Sequence, residues 1–291
     1  MSFAGTHTAL VTPFRNGTFD ADAFRNLIEA QIAGGVEGIV PVGTTGESPT
    51  VTHEEHTEII RVAVETAAGR CQVIAGTGSN STAEAIDLSV EAEKLGATAL
   101  LLVAPYYNKP SQEGLYRHFK AIAEAVKIPI ILYSIPGRCG VEIAVETVAR
   151  LAQDCSNITC IKEAGGSVER VSALRQAVPE SFEIVSGDDS LTLPFLSAGA
   201  VGVISVASNY LPKEVADLVH SWRDGRIDEA AAAHRRLYPL FKALFIEPNP
   251  VPVKFALAQR GVMTAEVRLP LCEMSAANEK ILSDVLAQLT N

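Results

Sequence analysis

The sequence predicts the α/β class and, within it, a (β/α)8 TIM barrel with an appended C-terminal helical segment. Three observations lead there. Eight short runs rich in Val, Ile and Leu recur along the chain. Segments of helical period separate them. The repeat is roughly 20–33 residues, the size of one βα unit. Strands that alternate with helices run parallel, and eight such units close into a barrel. The competing open, doubly wound sheet usually carries a GxGxxG turn after its first strand. Here "TPFRNGT" follows instead.

The elements follow in order. "TALVT" (8–12) reads as the first buried strand, with a helix-period segment over 20–33. "GIVPV" (38–42) precedes a helix over 53–68, where "THEE" sets Thr52 and Glu55 at capping-box spacing. "QVIAG" (72–76) precedes 82–95, and "STAE" gives Ser81 and Glu84 the same spacing. "ALLLV" (99–103), "PIILY" (129–133), "ITCIK" (158–162) and "EIVSG" (183–187) alternate with helices over 112–126, 144–154, 168–177 and 189–198. "GVISV" (202–206) is the eighth strand. Residues 1–224 are assigned to the barrel. Residues 225–291 are assigned to a helical segment packed on it, because "DEAAAAHRRLYPLFKALF" and "ANEKILSDVLAQL" are both amphipathic.

Composition narrows the function. The chain has 291 residues and a formal net charge of −10, from 34 acidic and 24 basic side chains, and no Lys/Arg cluster stands out. That argues against nucleic acid or an anionic membrane as partner. The five cysteines (Cys71, Cys139, Cys155, Cys160, Cys272) have neither CxxC spacing nor a metal-like Cys/His pattern. They predict reduced thiols in a cytoplasmic protein with no metal site. "MSFAGTHTALVTPF" has no basic n-region or long apolar stretch, so no signal peptide is expected. Runs such as "ATALLLVAP" are too short to span a bilayer.

In such barrels the reactive groups gather at the C-terminal ends of the strands. "GTTGES" (43–48), "PYYNKP" (105–110), "SIPGRCG" after Tyr133, Lys162 and "SGDD" (186–189) all fall there. Strand parity puts Ile158, Cys160 and Lys162 on one face of "ITCIK", and Pro129, Ile131 and Tyr133 on one face of "PIILY". With Ile130, Leu132 and Ile161 facing the helices, Tyr133 and Lys162 point into the barrel at similar height. An amine kept neutral by a partly apolar pocket is a nucleophile toward a ketone, and a nearby phenol can shuttle its proton. The alternative is a structural lysine paired with a carboxylate such as Glu163. The backbone N–H groups and the Thr44 and Thr45 hydroxyls can hold a small carboxylate, or merely form a βα turn. Arg138 can fork a carboxylate, or lie solvated in its loop. Tyr106 and Tyr107 are a packed pair or a functional one, and His53 and His56 are ordinarily just exposed.

Taken in order, "GTTGESPT", "PYYNKPSQEGLYRHF", "LYSIPGRCG", "IKEA", "SGDD" and "EPNPVPVK" resemble the dihydrodipicolinate synthase family of pyruvate-dependent Schiff-base lyases, which also holds N-acetylneuraminate lyase. The resemblance spans nearly the whole chain. It implies condensation of pyruvate, as an imine on Lys162, with L-aspartate 4-semialdehyde, in the diaminopimelate route of lysine biosynthesis and without a cofactor. It further implies that Tyr133 shuttles protons, that Thr44 relays them, and that Tyr107 reaches the neighbouring subunit's site. Thr45 would bind the pyruvate carboxylate and Arg138 that of the semialdehyde, with Gly187 and Ile204 lining the pocket. Ser48, Pro49, His53, His56, Asn80, Glu84 and Tyr106 match positions that bind lysine as a feedback inhibitor. A homotetramer built from two tight dimers is implied. The alternative is a sister aldolase acting on a keto-sugar acid, against which Arg138 argues. The chain departs at Ser134, where Asn is frequent in the family, and at Cys139, where Thr is common.

Overall fold

Residues 1–289 are described by a computed structural model of the chain. The last two residues of the predicted 225–291 segment lie outside the described residues. Eight parallel strands form a closed barrel: β1 (Gly5–Ala9), β4 (Gly38–Val40), β5 (Gln72–Gly76), β6 (Ala99–Val103), β7 (Ile130–Ser134), β8 (Ile158–Glu163), β9 (Glu183–Ser186) and β10 (Gly202–Ser205). Each neighbours the next, and β1 closes the ring by pairing with both β4 and β10. Two short strands, β2 (Phe14–Arg15) and β3 (Thr18–Phe19), make a hairpin after β1. Asn16 and Gly17 occupy its turn with positive φ, which is the property that makes an Asn-Gly pair a hairpin signal.

The helices surround this ring: α1 (Ala21–Ala33), α2 (His53–Ala67), α3 (Thr82–Lys94), α4 (Gln112–Ala125), the one-turn α5 (Pro136–Cys139), α6 (Val145–Asp154), α7 (Val168–Ala177), α8 (Thr192–Ser197) and α9 (Pro212–Arg223). Helices α10 (Ile227–Ala243), α11 (Val251–Gln259) and α12 (Ala276–Leu289) follow, with α10 packed on α9, and α12 on α10 and α11. The caps have local causes. Thr52 and Glu55 form the reciprocal capping box at the start of α2. Ser81 does not form one with Glu84: its hydroxyl accepts from the Glu84 amide, but the Glu84 carboxylate turns away, to Ser79 and His53. Among the described residues no helix is long and apolar enough to cross a membrane.

Two apolar layers share the strands. Ala9, Val40, Ile74, Leu101, Ile131, Tyr133, Cys160, Val185 and Ile204 fill the barrel interior, with Phe3 at one end. Ile130, Leu132 and Ile161 belong to the larger layer beneath the helices, as parity predicts. Ile158 belongs to that outer layer too, not to the interior face expected from its spacing to Cys160. The register explains this. Ile158 pairs with Ile130, but Cys160 pairs with Ile131, so Thr159 is the extra residue of a bulge. One inserted residue flips the parity on its two sides.

The first strand also sits earlier than the expected 8–12. Its ladder runs over "GTHTA", because Thr6, His7 and Thr8 are buried but find partners. The Thr6 hydroxyl reaches the Val215 carbonyl at 3.4 Å, and Thr8 donates to Gln31 at 2.7 Å. His7 Nε2 lies 3.2 Å from Gln72 Oε1. The buried His7 Nδ1 has no partner. Polar residues held by internal hydrogen bonds do not read as a strand from hydrophobicity alone.

Candidate active site

Tyr133 and Lys162 are direct partners in the register of β7 and β8, so neighbouring strands present both side chains to the same mouth. Both are buried, with Lys162 only 6% exposed. Lys162 Nζ lies over the Tyr133 ring, 4.2 Å from its centre. Burial lowers the lysine pKa to about 7, against the pull of the Asp189 carboxylate and with a smaller push from Arg138. Half the amines are then uncharged near neutrality. Burial raises the Tyr133 pKa well above the ordinary phenol value, so the phenol keeps its proton, and the Thr44 hydroxyl hydrogen-bonds to it.

Glu163 does not pair with Lys162. Its carboxylate is turned the other way, accepting from Arg170 Nε at 2.8 Å and the Gly165 amide at 2.6 Å. The structural-lysine alternative therefore loses Glu163 as its partner. Asp189 is the acidic group that acts on Lys162, and it is itself held by the Ser205 hydroxyl and the amides of Val206 and Ala207. It lies in "SGDD", where sequence reasoning gave it no role. Gly187 explains how the lysine fits: a Cβ there would lie 3.0 Å from Lys162 Cε and 2.7 Å from Ala164 Cβ.

The two groups open into a cavity of about 70 Å³. Thr44, Thr45, Arg138, Gly187, Asn249 and Phe245 contribute to its walls with Tyr133 and Lys162. Ile204 is not among them; it is packed in the barrel interior, below the mouth. Thr44 and Thr45 stand in a one-turn 3-10 helix (Thr44–Gly46) after β4. Thr45 Oγ1 accepts from Asn249 Nδ2 at 2.9 Å, leaving its own proton free for a ligand. Arg138 Nη2 reaches the Asn249 carbonyl at 3.5 Å. Asn249 is thus a cavity residue that sequence reasoning missed, although "EPNPVPVK" contained it. Its Oδ1 is buried without a partner.

Tyr107 is not in this cavity. It is 89% exposed, with φ of 73°, a left-handed conformation unusual for a bulky side chain. Tyr106 beside it is half-buried and lines a second cavity of about 210 Å³ with Ser48, Pro49, His53, His56 and Glu84. Asn80 supports that wall from behind, donating to the Tyr106 carbonyl at 3.2 Å. His53 Nε2 is 2.9 Å from Glu84 Oε1, and the Ser79 hydroxyl binds the other Glu84 oxygen. These contacts, Ser79 first, hold the Glu84 carboxyl below its usual pKa. Burial lowers the His56 pKa, and its Nε2 donates to the Gly76 carbonyl at 2.9 Å. Ser48, Gly76 and Gly78 line both cavities, so the two adjoin.

The sequence model of the Dihydrodipicolinate synthetase family matches residues 2–289. The chain belongs to that family. A 4-hydroxy-tetrahydrodipicolinate synthase of Endomicrobium trichonymphae is 51% identical to it over 286 residues, covering 97% of this chain and 98% of the relative. Among solved structures, the 4-hydroxy-tetrahydrodipicolinate synthase of Methylacidiphilum fumariolicum SolV is 56% identical, with a TM-score of 0.98 over 99% of this chain and 96% of that one. The family member from Cyanidioschyzon merolae, solved with lysine bound, is 43% identical, with a TM-score of 0.96 over 99% of this chain and 98% of that one. The family's barrel and this chain's barrel therefore agree along their full length.

Proposed function

We infer that this chain is a class I, Schiff-base lyase that condenses pyruvate with L-aspartate 4-semialdehyde, the 4-hydroxy-tetrahydrodipicolinate synthase reaction of lysine biosynthesis. The observation that carries the reading is a buried, partly uncharged Lys162 beside a protonated Tyr133, with no carboxylate bonded to the amine. The amine adds to the pyruvate ketone, and loss of one water gives an imine. Proton loss from the methyl carbon gives an enamine, with Tyr133 and Thr44 as the path for the proton. The enamine carbon attacks the aldehyde, whose oxygen becomes a hydroxyl. The substrate's own amine then replaces Lys162 at the imine carbon, closing the ring and freeing the lysine. One water is released overall.

The roles proposed within the site are those the family resemblance implies, and placement and chemistry support them. The Thr44–Thr45 turn takes the pyruvate carboxylate, with the Thr45 hydroxyl as donor. Arg138, at the cavity wall, takes the carboxylate of the semialdehyde; a polyhydroxylated sugar acid would call for neutral hydrogen-bonding groups there instead. Gly187 gives Lys162 room. The second cavity takes lysine as feedback inhibitor, its ammonium toward Glu84. Tyr107, exposed and held in a strained conformation, completes the site of a neighbouring chain in a homotetramer made of two tight dimers, working in the cytoplasm. Assay with pyruvate and either aspartate semialdehyde or sugar aldehydes tests the reading. Turnover confined to the sugar aldehydes would replace it with the sister aldolase.

A further inference from the structure

Beneath the Thr44–Thr45 turn lies an ion pair that the reaction does not use. Lys254 on α11 and Glu47 at the end of the turn are both essentially inaccessible, with side chains 0% and 1% exposed. Lys254 Nζ donates to Glu47 Oε1 and, at 2.7 Å, to the Glu266 carbonyl. Glu47 Oε2 accepts from the Arg268 amide at 3.0 Å. Neither residue lines the cavity. A pair so deeply desolvated adds little net stability over an apolar pair of the same size, because taking two charges out of water offsets their attraction. What it supplies is direction, since each oxygen has one fixed donor.

We propose that the Glu47–Lys254 pair is a positioning device that locks the carboxylate-binding turn to the C-terminal helical segment, and so sets the preference of the Lys162 site for a keto acid over a neutral ketone. This rests on the reading given under Proposed function. Besides its own backbone bonds, the turn is tied to the segment just after β1 by the Thr12 hydroxyl, which donates to the Gly46 carbonyl at 2.7 Å. Gly43 gives it no side-chain cap, and Glu47 closes it with φ of 57°, a left-handed conformation that a side chain adopts only under constraint. Further constraint comes from α11 and the residues just before it, which grip the turn twice: through Asn249 on Thr45, at 2.9 Å, and through Lys254 on Glu47. Lys254 and Asn249 stand on one short segment, where the Lys254 amide bonds to the carbonyl of Pro250, the residue after Asn249, at 3.0 Å. The Arg268 guanidinium extends the clamp to Glu55 in the capping box of α2. Loss of the ion pair therefore removes the tether at the far end of the turn and loosens its alignment with Lys162, while Lys162, held on β8, stays in place.

The test uses the full-length protein, sodium borohydride, and two ketones of similar size: pyruvate and its uncharged methyl ester. Half-saturating concentrations for labelling at Lys162 are read by mass spectrometry, for the wild type, Lys254→Met and the double variant Glu47→Gln/Lys254→Met. The double variant leaves no lone buried charge and keeps an acceptor for the Arg268 amide. In both variants the preference for pyruvate over its ester is expected to fall about tenfold, the scale of one hydrogen bond to a charged group. The fall comes from weaker pyruvate capture, with labelling by the ester unchanged. A merely structural role would weaken both ketones alike. An unchanged ratio in a folded variant, or equal loss for both ketones, overturns the proposal. So does failure of the double variant to fold, which would make the pair a stability element. If the wild type itself takes no pyruvate at Lys162, the Schiff-base reading falls instead.

Discussion

Lys162 Nζ stands 4.2 Å from the centre of the Tyr133 ring, at the point where β7 and β8 pair these two residues directly. The face of a phenol ring offers a cation some attraction, but far less than water does. Burial therefore decides the charge of the amine, and it lowers the pKa to about 7. An amine that is half unprotonated at neutral pH attacks ketones far more readily than an ordinary surface lysine. The cost falls on the fold, as is usual where a site needs a group the interior disfavours.

That cost gives the first prediction. Between the folded pKa of about 7 and the ordinary lysine value of 10.5 the unfolded chain binds the proton that the folded chain has lost. Stability therefore rises with pH through this window. Lys162→Met has no such proton. It should melt above the wild type at pH 7 and below, by roughly 3–5 kcal/mol less any packing loss, at 1.36 kcal/mol per unit. The difference should shrink toward zero as pH approaches 10.5. Melting temperatures of both proteins from pH 6 to pH 10 check it; a gap that does not change with pH contradicts the lowered pKa. Borohydride trapping of pyruvate by the wild type should rise with pH through 7 and vanish in the variant.

Much of this was legible in the sequence, and the rest was not, for definable reasons. Seven of the eight strands lie within two residues of their apolar runs, since core strands buried on both faces must be apolar. Tyr133 and Lys162 follow from alternation alone, because no irregularity separates them from Cys160 or Ile131. Ile158, one bulge away, does not. The first strand is displaced because Thr6, His7 and Thr8 are polar yet buried, each with at least one internal partner. Asn249 and Lys254 meet Thr45 and Glu47 about two hundred residues away along the chain, and such pairings leave no local period to read. For Glu84 the spacing suggests a capping box and the family resemblance a lysine site; the geometry shows its carboxylate bonded to Ser79 and His53 at the wall of the second cavity.

Arg138 gives a second prediction. Its guanidinium reaches the Asn249 carbonyl and the cavity wall. If it takes the semialdehyde carboxylate, Arg138→Ala should lose about 2–5 kcal/mol in kcat/KM for that substrate, the scale for one partner of a desolvated charge pair. Pyruvate labelling at Lys162 should survive. A variant that loses the label but keeps normal semialdehyde kinetics reverses the assignment.

The third concerns the second cavity. Glu84 is its acidic wall, ionised and aimed by Ser79 and His53. Lysine at millimolar concentration should inhibit the wild type at pH 8. Glu84→Gln should keep its uninhibited rate and need at least about tenfold more lysine for the same inhibition, since the ammonium loses a charge-assisted partner. Calorimetry gives the binding directly. No heat and no inhibition in the wild type would remove the regulatory site.

The last prediction separates a shared site from a self-contained one. Tyr107 is 89% exposed, outside the Lys162 cavity, and held at φ of 73°. A large aromatic side chain kept in a strained, solvent-facing position is a poor arrangement for a lone chain, because tyrosine gains most when its ring is covered and its hydroxyl bonded. A neighbouring chain supplies both. Lys162→Ala and Tyr107→Phe should each be nearly inactive alone. After subunit exchange, a mixed dimer holds one site with Lys162 from one chain and Tyr107 from the other, and a second site carrying both defects. Activity per mixed dimer should then approach half that of the wild type. Native mass spectrometry establishes that exchange has occurred. Activity no greater than the sum of the parents would mean that Tyr107 serves its own chain, and that the exposed loop must fold inward to do so.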